Sequence, residues 1–171
     1  MKCGVVIFPS KFVQDKANEF RKRFDPAYTL ISPHVTIRSG FELNDDQLPT
    51  IISQLNEIAS NIEPFELEIN KVSSFAPVNN VIYLKVTPVD ALKELHEKMH
   101  TGAFPKTKEY AFVPHITIGQ QLQDAEFGDI LGQLSMIQFS YNEMIDSIKL
   151  VYQLENGAWE VYETFKLGAK Q

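Results

Sequence analysis

Two five-residue strings in this chain are nearly identical: Pro33-His34-Val35-Thr36-Ile37 and Pro114-His115-Ile116-Thr117-Ile118. Valine, isoleucine and threonine favour strands, and strand side chains alternate between faces. His34 and Thr36 therefore share one face, while Val35 and Ile37 share the other. His115 and Thr117 stand in the same relation to Ile116 and Ile118. Each strand offers an apolar face to a core and sets an imidazole and a hydroxyl on the opposite face. A single His-x-Thr triplet says little, because a backbone-satisfied histidine beside a good β-former is ordinary. Two copies in matching contexts point to one shared site.

Paired histidines suit in-line displacement at phosphorus. A neutral imidazole takes the proton of an attacking hydroxyl or water, and a protonated one supplies the leaving oxygen. A histidine pKa near about 6.5 lets both forms coexist close to neutral pH. Thr36 and Thr117 can donate hydrogen bonds to the non-bridging oxygens. The reaction needs no metal and no cofactor.

Other residues are candidates of lower rank. Arg38 follows His34 by four positions on the same expected face, and reads equally as a substrate contact or a solvated strand end. Tyr110 and Phe112 approach the second motif at two-residue spacing and could stack on a base, with core packing the better role for Phe112. Lys85 and Lys106 read as surface lysines. His96-Glu97-Lys98-Met99-His100 matches a zinc-protease string, but a third ligand is missing from its neighbourhood in sequence. Solvated histidines on a helix face explain it without a metal. A histidine-triad nucleotide site is excluded, because Thr117 and Gly119 stand where histidines would be required.

The elements that must carry these residues are legible. Val5–Phe8 reads as a strand ended by Pro9. Ser10 can cap a helix over Lys11–Phe24, closed by Asp25-Pro26. The first motif strand follows. Asn44 is a candidate cap for a helix from Asp45 to about Ser60, although Pro49 favours a regular start only at Leu48 or Pro49. Phe65–Val72 alternates as a strand, and Val81–Val86 is another. Pro88 and Asp90 open a helix to about His100, with Gly102 as its stop. The second motif strand is followed by a weak helix near Asp124–Gly132, interrupted by Gly128. Strands are expected near Met136–Phe139, Ile145–Leu154 and Trp159–Phe165, the last two joined at Asn156-Gly157. The order of elements repeats once. This predicts an α+β class, internally duplicated, with antiparallel sheets forming a central cleft and helices packed outside. Residues 1–171 form one bilobal domain of two pseudo-symmetric units, each with one His-x-Thr motif.

The composition narrows the classes further. A formal net charge of −6 opposes binding of long nucleic acid, but leaves room for a small nucleotide or an RNA end. Cys3 is the single cysteine, so no internal disulfide forms. With no signal-like start and no membrane-length apolar run, a cytoplasmic setting is expected.

On its paired His34-Val35-Thr36-Ile37 and His115-Ile116-Thr117-Ile118 motifs, the chain resembles the two-histidine (2H) phosphoesterase superfamily. That group includes 2′-5′ RNA ligase-like enzymes and cyclic nucleotide phosphodiesterases. The likeness extends over essentially the whole chain, including Phe75–Val86 and Tyr110–Gln120. The tail Tyr152-Gln153-Leu154-Glu155-Asn156-Gly157 is similar to the YjcG-type phosphoesterases of bacilli. The resemblance implies chemistry on a 2′,3′-cyclic phosphate or 2′-5′ linkage, with His34 as proton donor and His115 as proton acceptor. A catalytically weak module that binds a nucleotide or RNA end is the alternative on the same fold.

Overall fold

The computed structural model describes residues 1–106 and 111–168. Among the described residues, eight strands and four helices follow in the order β1 (Lys2–Ile7), α1 (Lys11–Phe24), β2 (Val35–Glu42), α2 (Leu48–Ser60), β3 (Phe65–Ser74), β4 (Ile82–Val86), α3 (Asp90–Lys98), β5 (His115–Gly119), α4 (Asp124–Ser135), β6 (Tyr141–Ile145), β7 (Ser147–Gln153) and β8 (Trp159–Lys166). The strands form two antiparallel four-stranded sheets, ordered β2-β1-β7-β8 and β5-β4-β3-β6. This is the expected α+β, two-lobed architecture.

The two sheets are not consecutive halves of the chain. The last strands, β7 and β8, return to pair beside β1, while β3 joins the second sheet. The helices cross over as well: α1 lies on β5 of one sheet and α3 on β2 of the other. The motif strands β2 and β5 are edge strands, and they meet each other. Their apolar faces enter the core, where Val35, Ile37, Ile116 and Ile118 are all buried. That burial leaves the His/Thr faces at the junction of the sheets.

Local chemistry accounts for the boundaries. The Ser10 hydroxyl accepts the Val13 N–H at 3.3 Å, capping α1 as expected. Asn44 does not cap a helix that begins at Asp45. It exchanges hydrogen bonds of 3.0 Å with Gln47, closing a turn, and α2 starts at Leu48 with proline in its first turn. α4 runs through Gly128 and Gly132, which face open space and interrupt nothing. The segment Met136–Phe139 is not a strand; β6 begins at Tyr141, and Phe139 is instead buried in the core. Its apolar residues give the right composition, but the pairing partner of β3 is the next segment. The Asn156-Gly157 turn is present, with Gly157 at φ 91°, a left-handed position that suits glycine. Among the described residues, no helix is long and apolar enough to cross a membrane.

Candidate active site

The same local construction builds both halves of the site. In Ser32-Pro33-His34, the ring Nδ1–H donates to the Ser32 carbonyl at 2.8 Å. In Val113-Pro114-His115, Nδ1–H donates to the Val113 carbonyl at 2.7 Å. A carbonyl oxygen only accepts, so Nδ1 carries the hydrogen in each ring. Nε2 is then the nitrogen left for proton transfer. His34, Thr36, His115 and Thr117 are all half-buried. Neither threonine hydroxyl has a hydrogen-bond partner among the described residues.

Burial holds both histidines below their ordinary pKa. For His34 desolvation is the main cause, the charges of Arg21 and His115 push the same way, and the Ser32 carbonyl and Asp25 oppose it. For His115 desolvation again dominates, opposed by the Val113 carbonyl. The charge of His115 reaches His34, so the two rings lie within electrostatic range of each other. Phe8 meets the edge of His34 at 6.4 Å between centroids, and Phe75 meets His115 at 5.0 Å.

Two hollows share Thr36 and Ser39. One, of about 180 Å³, contains His34 and is walled by Gly4, Val151 and Trp159. The other, of about 480 Å³, contains His115 together with Phe75, His96, His100 and Phe112. A further groove of about 730 Å³ lies between α2 and α3, but it holds neither motif and exposes Glu57 and Glu94. Among the described lining residues these two carboxylates outnumber the one cation, Lys98, which disfavours an anionic ligand there.

Several residues occupy positions the sequence did not foresee. Arg38 is neither a solvated strand end nor a residue that simply continues the His34 face. In the register of β1 and β2, Val6 faces Thr36 and Val5 faces Arg38, so Ile37 is an extra residue in a bulge. The bulge breaks the alternation, and Ile37 and Arg38 are both buried. Arg38 donates to the carbonyls of Met99 at 2.8 Å and Pro105 at 2.6 Å. Its guanidinium lies over Phe41 and Phe104. His96 and His100 are only partly exposed to solvent. They are half-buried in the wall of the larger hollow, and Phe112 stacks on His96. Among the described residues, no group of three or more His, Cys, Asp or Glu side chains is placed to hold a metal ion. Tyr110 lies outside the described residues.

Sequence reasoning missed Arg21, Asp25 and Gln120. Buried Arg21 donates to the Ile31 carbonyl at 2.6 Å, three residues before His34. Gln120, just past β5, donates to Asp25 at 2.8 Å. The i, i+4 spacing of Arg21 and Asp25 at the end of a helix was the available signal. Trp159 was missed too; its backbone N–H donates to the Leu30 carbonyl at 2.8 Å, tying β8 to the same loop.

Comparisons with known proteins supply the family. The model of the 2′-5′ RNA ligase superfamily matches residues 8–157. A protein of Bacillus thuringiensis (strain Al Hakam) named "Putative phosphoesterase" is 57% identical over 168 residues, covering 98% of each chain. The chain belongs to the 2′-5′ RNA ligase superfamily. The fold is shared with TT0787 of Thermus thermophilus, at a TM-score of 0.74 and 17% identity over 100% of both chains. It is shared also with E. coli LigT solved with 3′-AMP, at a TM-score of 0.72 and 14% identity over 97% of both.

Proposed function

We propose that the chain is a phosphodiesterase acting on a 2′,3′-cyclic phosphate or 2′-5′ phosphodiester of a nucleotide or RNA end. The observation that carries this reading is the matched anchoring of His34 and His115 on two edge strands that meet, each ring fixed through Nδ1. For a cyclic phosphate, water attacks phosphorus and loses a proton to His115 Nε2. The bond from phosphorus to the departing 2′ or 3′ oxygen breaks, and that oxygen takes a proton from His34 Nε2. The product is a phosphomonoester, and a final exchange of protons with solvent resets the pair. This direction follows the family resemblance. Thr36 and Thr117 donate to the non-bridging oxygens, where the transition state gathers charge. The step balances without a metal. The 3′-AMP held by LigT supports a small nucleotide as ligand.

The test is turnover of 2′,3′-cyclic nucleotides and 2′-5′ dinucleotides with chelator present, by the wild type and by His34→Ala and His115→Ala. Each variant should lose activity by at least about a hundredfold. An activated leaving group, such as a nitrophenolate, should rescue His34→Ala and not His115→Ala. Undiminished activity in both alanine variants would overturn the site assignment. Tight binding of cyclic nucleotides without turnover would instead favour a binding module.

A further inference from the structure

The larger hollow has a wall that the diester chemistry does not use. His96 and His100 stand one turn apart at the end of α3, with ring centroids 4.2 Å apart. His96 also stacks on Phe112, at 4.3 Å with ring planes 14° apart. Rings thus lie against His96 on two sides. His100 donates its Nδ1–H to the His96 carbonyl at 2.6 Å, which leaves Nε2 at the opposite edge of the ring. Arg38 braces this wall by holding the carbonyls of Met99 and Pro105, which flank His100 in sequence. The arrangement is a fixed surface lining a cavity, not a helix face in solvent.

The lining selects the ligand. The hollow, about 480 Å³, falls within the size range of small-molecule sites. Among the described residues, its ionisable lining is His96, His100 and His115. Ser39 and Asn79 add a hydroxyl and an amide. A stacked base would need an open ring face. The His96–His100 pair has its rings against each other and against Phe112, and His100 offers a nitrogen edge.

We propose that His96 and His100 form a subsite for a second phosphate of the substrate, separate from the one that is cleaved. The proposal rests on the phosphodiesterase reading of His34 and His115. It narrows the substrate class to nucleotides with two separate phosphates, such as a nucleoside 2′,3′-cyclic phosphate that also carries a 5′-phosphate. His100 binds as imidazolium, donating Nδ1–H to the His96 carbonyl and Nε2–H to a phosphate oxygen.

Two measurements test it. The full chain carrying His34→Ala and His115→Ala, with ¹⁵N-labelled histidine, is titrated with pyrophosphate. Saturable shifts of the His96 and His100 ring nitrogens are expected, and unmoved signals overturn the subsite. This arm stands even if no cyclic nucleotide is turned over, an outcome that would sink the catalytic reading alone. In the second, kcat/KM for adenosine 2′,3′-cyclic phosphate is compared with that of its 5′-phosphorylated form. The wild type should favour the latter by about tenfold, as a charge-assisted hydrogen bond implies. The ratio should fall toward one in His100→Gln, with His96→Gln as the second variant if His100→Gln does not fold. An unchanged ratio overturns the proposal, as does a change in base preference without a change in the phosphate ratio.

Discussion

Arg21 and Asp25 form an ion pair one helical turn apart, with Nε 3.4 Å from Oδ2 and each side chain 2% exposed. Arg21 also donates to Asn18 and to the carbonyls of Ala27 and Ile31. Asp25 accepts from the Ala27 N–H and from Gln120. The pair therefore joins the loop entering the first motif to the residue leaving the second motif strand. Asp25→Ala strands a buried guanidinium without its carboxylate, which should cost about 3–5 kcal/mol. Urea unfolding measures this, and a loss below about 1 kcal/mol would show that the pair holds little.

The depressed histidine pKa values set the pH response. Unfolded histidines bind protons near about 6.5, whereas folded His34 and His115 stay neutral to lower pH because burial disfavours their charge. Between those values the unfolded state holds more protons. Stability therefore rises with pH through this window and is lost as pH falls through the folded pKa values. Chemical denaturation should give a more stable protein at about pH 7.5 than at about pH 5.5. The double variant His34→Asn/His115→Asn should show a smaller difference. Inorganic phosphate should move both histidine titrations upward in proton NMR, since an adjacent anion favours imidazolium. Midpoints at or above the ordinary value in the free protein would contradict the burial.

Thr36→Val and Thr117→Val remove a hydroxyl from each half of the cleft while keeping a β-branched side chain. A donor aimed at transition-state charge is worth about a hundredfold or more, so each variant should lose roughly that in kcat/KM. Serine at either position should restore most of it. Thermal melting should change little, because neither hydroxyl has a partner among the described residues. A loss under about threefold in both variants would remove the threonines from phosphate binding.

The sequence exposed what depends on alternation and repetition. The duplicated motif, the apolar faces of Val35, Ile37, Ile116 and Ile118, and the cap at Ser10 all follow from local rules and are present. What it hid depends on long-range pairing. No local pattern says that β7 returns to β1 and leaves β3 to β4, or that α3 crosses onto β2. That crossing turns His96 and His100 from an apparent surface pair into cavity lining. A single bulge residue, Ile37, likewise altered the expected place of Arg38.

Arg38 itself provides the last test. Its two carbonyl acceptors lie 61 and 67 residues further along the chain, so one side chain fastens the first motif strand to the segment that precedes the second motif. Its Nε is buried with no partner among the described residues, and burial pulls the guanidinium pKa down. Arg38→Met fills similar space and removes the buried charge, which is favourable. It also leaves two carbonyls without their donor, at about 1–3 kcal/mol for buried Met99 and less for half-buried Pro105. The second effect should win, because two acceptors lose their partner and only one charge is relieved. Net destabilisation of about 1–3 kcal/mol is expected by urea unfolding. Arg38→Lys should recover part of it, since an ammonium can reach one carbonyl but cannot fork to two. If Arg38→Met were instead neutral or stabilising, the side chain would not fasten the two segments, and its burial would have to be explained by packing on Phe41 and Phe104 alone.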